Sequence, residues 1–224
     1  MKKIFKQCNS SNYKKGRTSD IKYIVIHYTA NNGDTAKNNV DYYASTKVGA
    51  SAHYYVDEYD AVCQSVLDTD TAWAVGGTSS YKHPYCRNAN SISIEMCSRN
   101  KNGDEKPATD DGWYFKEETI THAVELTKEL MAKYNIPAEN VIRHYDVWGK
   151  ICPAPFVNNP KAWDDFKKRL TEVKELETVN DIVWELAERG IISDKDLWLK
   201  KLSEDSNAYW LARKTVNYIR EKEM

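Results

Sequence analysis

The sequence predicts an α/β fold, a mixed central sheet flanked by helices, followed by a small all-helical C-terminal unit. Three observations carry this. Strand patterns, the apolar run Ile24-Val25-Ile26 and the alternating Ile92-Ser93-Ile94, are interspersed with helix-period stretches, as in sheets whose strands are linked by helices. Residues 52–57 and 61–67 are strand-like and joined by the short polar link Glu58-Tyr59-Asp60, so a hairpin sits among the helix-linked strands. From about Thr178 onward only short amphipathic helical patterns remain.

In chain order, Ile21-Lys22-Tyr23-Ile24-Val25-Ile26-His27 reads as a buried strand, and residues 28–33 as its turn-rich exit. Asp34 or Thr35 is placed to cap a helix reaching about Lys47, with Val40, Tyr43 and Ala44 inward. After the hairpin, residues 68–90 hold Trp73, Gly76, Gly77, Pro84 and Tyr85 without periodicity, which fits a binding loop better than a spacer. The strand over residues 91–97 puts Ile92, Ile94 and Met96 on one face, and Ser91, Ser93, Glu95 and Cys97 on the other.

Residues 99–112 are charged and Gly-containing, hence a surface loop. A helix from about Lys116 to Tyr134 carries Ile120, Val124, Thr127, Met131 and Tyr134 at helical spacing, widened by Ala123 and Leu130. Asn135-Ile136-Pro137 ends it. Val141-Ile142-Arg143 is a short strand delivering His144, and Asn159-Pro160 opens a helix through Trp163, Phe166, Leu170 and Val173. These elements predict a main domain over residues 1–176.

Residues 178–224 read as a separate unit of three helices. The first carries Val179, Ile182, Val183, Leu186 and Ala187 and closes at Arg189-Gly190. The second is capped by Ser193 and carries Leu197, Trp198 and Leu202. The third starts near Ser206, with Trp210, Leu211, Val216 and Ile219. So small a unit is expected to dock or self-associate.

Composition narrows the function. With 32 basic and 33 acidic residues, nothing favours nucleic-acid binding. No apolar run is long enough to span a bilayer. The start, Met1-Lys2-Lys3-Ile4-Phe5, is basic but lacks the apolar core of a signal peptide, which implies a chain made in the cytoplasm or already trimmed. Five cysteines without C-x-x-C spacing argue against a disulfide framework. Many of the seven Trp and fifteen Tyr lie near Gly, Asn and Ser, as in a groove for a sugar-containing ligand.

The chemistry concentrates in residues 143–153, where His144, Lys150 and Cys152 lie close together around Gly149 and Pro153. Together with His27, the imidazole of His144 and the thiol of Cys152 can hold a zinc ion and leave a fourth position open, as a hydrolytic site requires. In an extended segment Lys150 points the same way as Cys152, where an ammonium suits a developing oxyanion. Glu95 can take a proton there, and Asp146 can either orient an imidazole or cap a turn. A metal-free reading stays open, with Cys152 as nucleophile and His144 as its base.

Several segments, in order, resemble the zinc-dependent N-acetylmuramoyl-L-alanine amidases, the family of phage endolysins, bacterial autolysins and peptidoglycan recognition proteins. They are Ile24-Val25-Ile26-His27-Tyr28-Thr29-Ala30, Ser51-Ala52-His53-Tyr54-Tyr55-Val56-Asp57, Asp70-Thr71-Ala72-Trp73, Asn90-Ser91-Ile92-Ser93-Ile94-Glu95, and His144-Tyr145-Asp146 through Lys150-Ile151-Cys152-Pro153. The resemblance implies one zinc on His27, His144 and Cys152 at the floor of a surface groove, with Glu95 and Lys150 catalytic and His53 structural or groove-lining. It implies peptidoglycan as partner and hydrolysis of the amide between N-acetylmuramic acid and L-alanine by zinc-activated water. An endolysin or an autolysin acting on the cell wall fits. One departure is Ala74, where many relatives carry a histidine, and it bears on a substrate contact. A peptidoglycan-binding module without catalysis stays as the alternative, and residues 178–224 are expected to serve wall targeting or dimerisation, or merely to buttress the main domain.

Overall fold

A computed structural model of the chain describes residues 2–59, 61–76, 80–172 and 178–223. It divides into two compact units, Met1–Thr171 and Glu172–Met224. The first opens with β1 (Lys2–Phe5), β2 (Tyr13–Lys14), β3 (Tyr23–Tyr28) and α1 (Ala36–Ser45). Next come β4 (Tyr54–Val56), β5 (Ala61–Gln64), β6 (Thr71–Ala72), β7 (Ser91–Met96), β8 (Arg99–Asn100) and β9 (Trp113–Tyr114). Helix α2 (Glu117–Tyr134), β10 (Val141–Arg143), α3 (His144–Trp148), α4 (Ala154–Val157) and α5 (Pro160–Thr171) complete the unit.

The central sheet has six strands in the order β1-β5-β4-β7-β3-β10. Only the β4–β5 hairpin is antiparallel; β4, β7, β3 and β10 run the same way, so their C-terminal ends gather along one edge. That is where open α/β sheets assemble their sites. Strand β1 was not foreseen from its polar, lysine-rich sequence. It survives as an exposed edge strand beside β5, a position that tolerates lysines.

One sheet face is the main core. Ile24, Ile26, Ile92, Ile94 and Met96 are fully buried there with Ala123, Leu126 and Leu130 of α2 and Phe166 and Leu170 of α5. Each such aliphatic side chain contributes roughly 1.5–3 kcal/mol by leaving water. The inner stripe of α2 is centred on Ala123, Leu126 and Leu130, whereas Ile120, Met131 and Tyr134 lie at its margin. The helix is as predicted, with Glu117 and Glu118 in its first turn and a left-handed Asn135 closing it.

The opposite face of the sheet carries Val25, His27, Ser93 and Glu95 and is covered piecemeal. Val75, Cys86 and Val147 cover Val25, while Ala36 and Val40 of α1 cover Tyr55. Thr35 caps α1 in a reciprocal box with Asn38, one of the two caps the sequence offered.

The second unit holds α6 (Val179–Glu188), α7 (Lys195–Glu204) and α8 (Ser206–Glu223). Its core comprises Ile182, Val183, Leu186, Ile192, Leu202 and Val216. Asp194, not Ser193, caps α7, because its carboxylate accepts the Leu197 N–H. Val173, expected at the end of α5, lies outside the described residues. No helix among the described residues is long and apolar enough to cross a membrane.

Candidate metal centre

Strand pairing brings the first two ligand candidates together. His27, the penultimate residue of β3, lies opposite Glu95 of β7, while on the other side Ile26 is the partner of Arg143, the last residue of β10. The next residue, His144, begins α3 and therefore arrives level with His27. Their ring centroids are 4.7 Å apart. Helix α3 was not anticipated. Asp146 creates it, accepting hydrogen bonds from the Arg143 backbone N–H and guanidinium, so it caps a turn and does not orient an imidazole.

Gly149 ends α3 at φ +84°, a conformation that costs a side-chain-bearing residue energy. The chain then folds back until the Tyr145 N–H donates to the Cys152 carbonyl at 2.8 Å. This closure returns Cys152 to the histidines, with Sγ 3.8 Å from His27 Nδ1. Lys150 and Cys152 are not in the expected extended segment: the Cys152 N–H donates to the Lys150 carbonyl in a tight turn. Lys150 is solvent-exposed, yet its charge still lowers the pKa of both histidines.

His27, His144 and Cys152 are 2%, 5% and 3% exposed, and each offers a ligand atom within 4.8 Å of the others. Burial holds His27 well below the usual imidazole range and His144 at about 4, so both rings are neutral donors. Burial pushes the Cys152 thiol up, Glu95 adds to this, and the Tyr28 backbone N–H opposes it. Glu95 is likewise raised to about 8 by burial, against the pull of Lys150. Its Oε1 stands 3.9 Å from His27 Nδ1; the side chain keeps 21% exposure, but Oε2 is shut off from solvent without a partner.

The hydrogen-bond inventory tests whether a metal belongs here. His53, His83 and His122 all engage backbone groups through their rings. By contrast, Nε2 of His27 and both nitrogens of His144 are buried without a partner. Orphaned buried nitrogens are costly, and two imidazoles that carry them beside a thiol suit a divalent cation with nitrogen and sulfur preference. The group can hold a metal.

His53 is a floor residue, as expected for a structural role. It is 1% exposed, its Nδ1 accepts the Ser93 N–H at 3.1 Å, and the Arg17 guanidinium lies 2.6 Å from Nε2. Arg17 also donates to the carbonyls of Asp68 and Ala89, clipping both ends of the long 68–90 segment to the sheet. Sequence reasoning missed Arg17, which belongs to no periodic pattern. Trp73 is 38% exposed, and Ala74 is held by its N–H donating to Asn88 Oδ1.

Comparison with known proteins agrees with this geometry. Residues 17–155 match the family model described as N-acetylmuramoyl-L-alanine amidase. The chain is 35% identical over 161 residues to N-acetylmuramoyl-L-alanine amidase BlyA of Bacillus subtilis (strain 168), covering 67% of this chain and 41% of that protein. To N-acetylmuramoyl-L-alanine amidase CwlL of Bacillus licheniformis it is 32% identical over 174 residues, covering 73% and 44%. The chain thus spans less than half the length of these relatives. The solved structure of PlyL superposes with a TM-score of 0.61 at 29% identity, over 77% of this chain and 98% of that one. A family match spanning more than half the chain, together with the His-His-Cys group within it, means that the chain belongs to the N-acetylmuramoyl-L-alanine amidase family.

Proposed function

We propose that this chain is a peptidoglycan hydrolase that cleaves the amide between the lactyl group of N-acetylmuramic acid and L-alanine of the stem peptide. One observation carries the reading: two buried imidazoles with orphaned ring nitrogens and a buried thiol converge within 4.8 Å beside a carboxylate, inside the segment that matches the amidase family. His27, His144 and Cys152 are the residues that would hold zinc. Zinc supplies Lewis acidity, making water more acidic and the amide carbonyl more electrophilic.

The protein's own groups supply the rest. Glu95, fixed on β7 beside His27, takes the proton from the attacking water and returns it to the departing alanine nitrogen. The Lys150 ammonium, free to move at the surface, places positive charge against the oxygen that becomes anionic as the carbonyl carbon turns tetrahedral.

The test is digestion of purified cell wall. Release of new L-alanine N-termini, abolished by chelation and restored by zinc, is the expected result. Binding without release favours a wall-binding module. Activity that survives metal removal but not alkylation of Cys152 favours the thiol hydrolase.

The second unit is a wall-targeting or self-association element in this reading, and the first is catalytic. Six of its large apolar side chains, Trp184, Ile191, Leu197, Trp210, Leu211 and Tyr218, are between 45% and 69% exposed. Deletion of residues 172–224 is expected to reduce wall pelleting or solution mass. If neither changes, the unit is a buttress. The site of action is the cell wall, as for an endolysin or autolysin.

A further inference from the structure

A second lysine, Lys82, packs against Gly149, the residue that precedes Lys150 in the chain. The backbone N–H groups of Lys82 and His83 both donate to the Val147 carbonyl, at 3.0 and 3.2 Å, which pins this part of the 68–90 segment against α3. From there the Lys82 side chain crosses the surface of Gly149. A methyl group on that glycine would stand 2.5 Å from Lys82 Cε and 2.7 Å from Nζ. The ammonium also lies 5.0 Å from the centre of the Tyr145 ring.

This cation has no carboxylate partner among the described residues. Asp146, the acidic residue of α3, is already engaged by Arg143. Lys82 therefore lies against Gly149 with no carboxylate among the described residues to pair its charge, whereas the charge of Lys150 acts on Glu95. Lys150 has a task in the hydrolysis. Lys82 is held in place, exposed and unclaimed.

The chemistry of the substrate indicates what it meets. On the sugar side of the scissile bond the lactyl carboxyl is consumed in the amide, and the N-acetylated glycan is uncharged. Carboxylates occur only on the peptide side. We infer that Lys82 is a specificity-determining residue that reads a carboxylate on the stem peptide just beyond alanine, and that the peptide arm crosses Gly149 while the glycan arm leaves the opposite way. The inference rests on the amidase reading and deepens it.

The experiment compares two soluble muropeptides, identical except that the residue after L-alanine carries a free α-carboxylate or its carboxamide. Wild type is expected to show a higher kcat/KM on the carboxylate by roughly two- to fivefold, the range of an exposed ion pair. The preference shrinks as salt is raised. Lys82→Gln is expected to bring the ratio close to one, and Lys82→Arg to keep it. A Lys82→Gln ratio equal to wild type, or an equal loss on both substrates, would show a mere brace for the Gly149 turn and overturn the assignment. Wild type inert toward both muropeptides would instead overturn the amidase reading, and the inference with it.

Discussion

Glu95 and His27 are register partners on adjacent parallel strands, and their side chains meet at 3.9 Å on the same face of the sheet. A proton acceptor and a metal-ligand candidate are thereby held by backbone pairing, with no loop between them. The expected outcome for Glu95→Gln is unchanged zinc stoichiometry and a drop in turnover of about 100-fold or more, the scale of a lost general base. Metal analysis and wall digestion on one preparation check both halves. Retention of a large share of the activity would remove Glu95 from the mechanism.

Cys152→Ser separates the other way. A serine hydroxyl does not ionise as a thiol does, so metal affinity is expected to fall by more than the ~10–100-fold typical of a lost supporting contact. Competition with a chelator of known affinity measures this directly. Activity should fall in parallel with occupancy and recover at high zinc.

Arg17→Met tests the clip beneath the site. The substitution strips hydrogen bonds from the carbonyls of Asp68 and Ala89 and removes the group beside His53. A loss of roughly 2–4 kcal/mol of stability is expected, as for a charged hydrogen-bond donor removed from a half-buried network. Urea unfolding with the slope held constant gives the value. A change below 0.5 kcal/mol, on the order of a neutral surface substitution, would contradict the role.

His53 sets a pH dependence. Burial, aided by Arg17, lowers its pKa from 6.5 to about 3. The unfolded chain therefore binds a proton between those values that the folded chain refuses, and stability falls as pH drops through the window from 6.5 to 3. His53→Asn keeps an acceptor for the Ser93 N–H but cannot titrate. Its stability should fall less steeply across that window, by up to about one proton's worth of slope. Chemical denaturation at several pH values would show this, and an identical slope would contradict it.

What the sequence revealed and concealed has physical causes. Strand β3 was legible because a fully buried strand is written as an apolar, β-branched run, β7 because its isoleucines alternate with polar residues, and α2 because its apolar residues recur at helical spacing. Strand β1 was hidden, since an exposed edge needs no apolar pattern. Helix α3 was hidden too, because five residues are too few for a period and its cap is an arginine–aspartate pair. The ligand candidates His27, His144 and Cys152 were legible as residue types near turns, but their convergence depends on β10 pairing beside β3, which spacing cannot show. Arg17 contacts backbone carbonyls and Lys82 a glycine surface, contacts that leave no mark in the sequence.

The most direct measurement is the zinc content of the purified protein taken together with the release of L-alanine N-termini from cell wall, before and after exhaustive chelation. The expected result is one zinc per chain, loss of both metal and release on chelation, and recovery of both when zinc is returned. Undiminished release from protein shown to be free of metal would contradict the account at its centre.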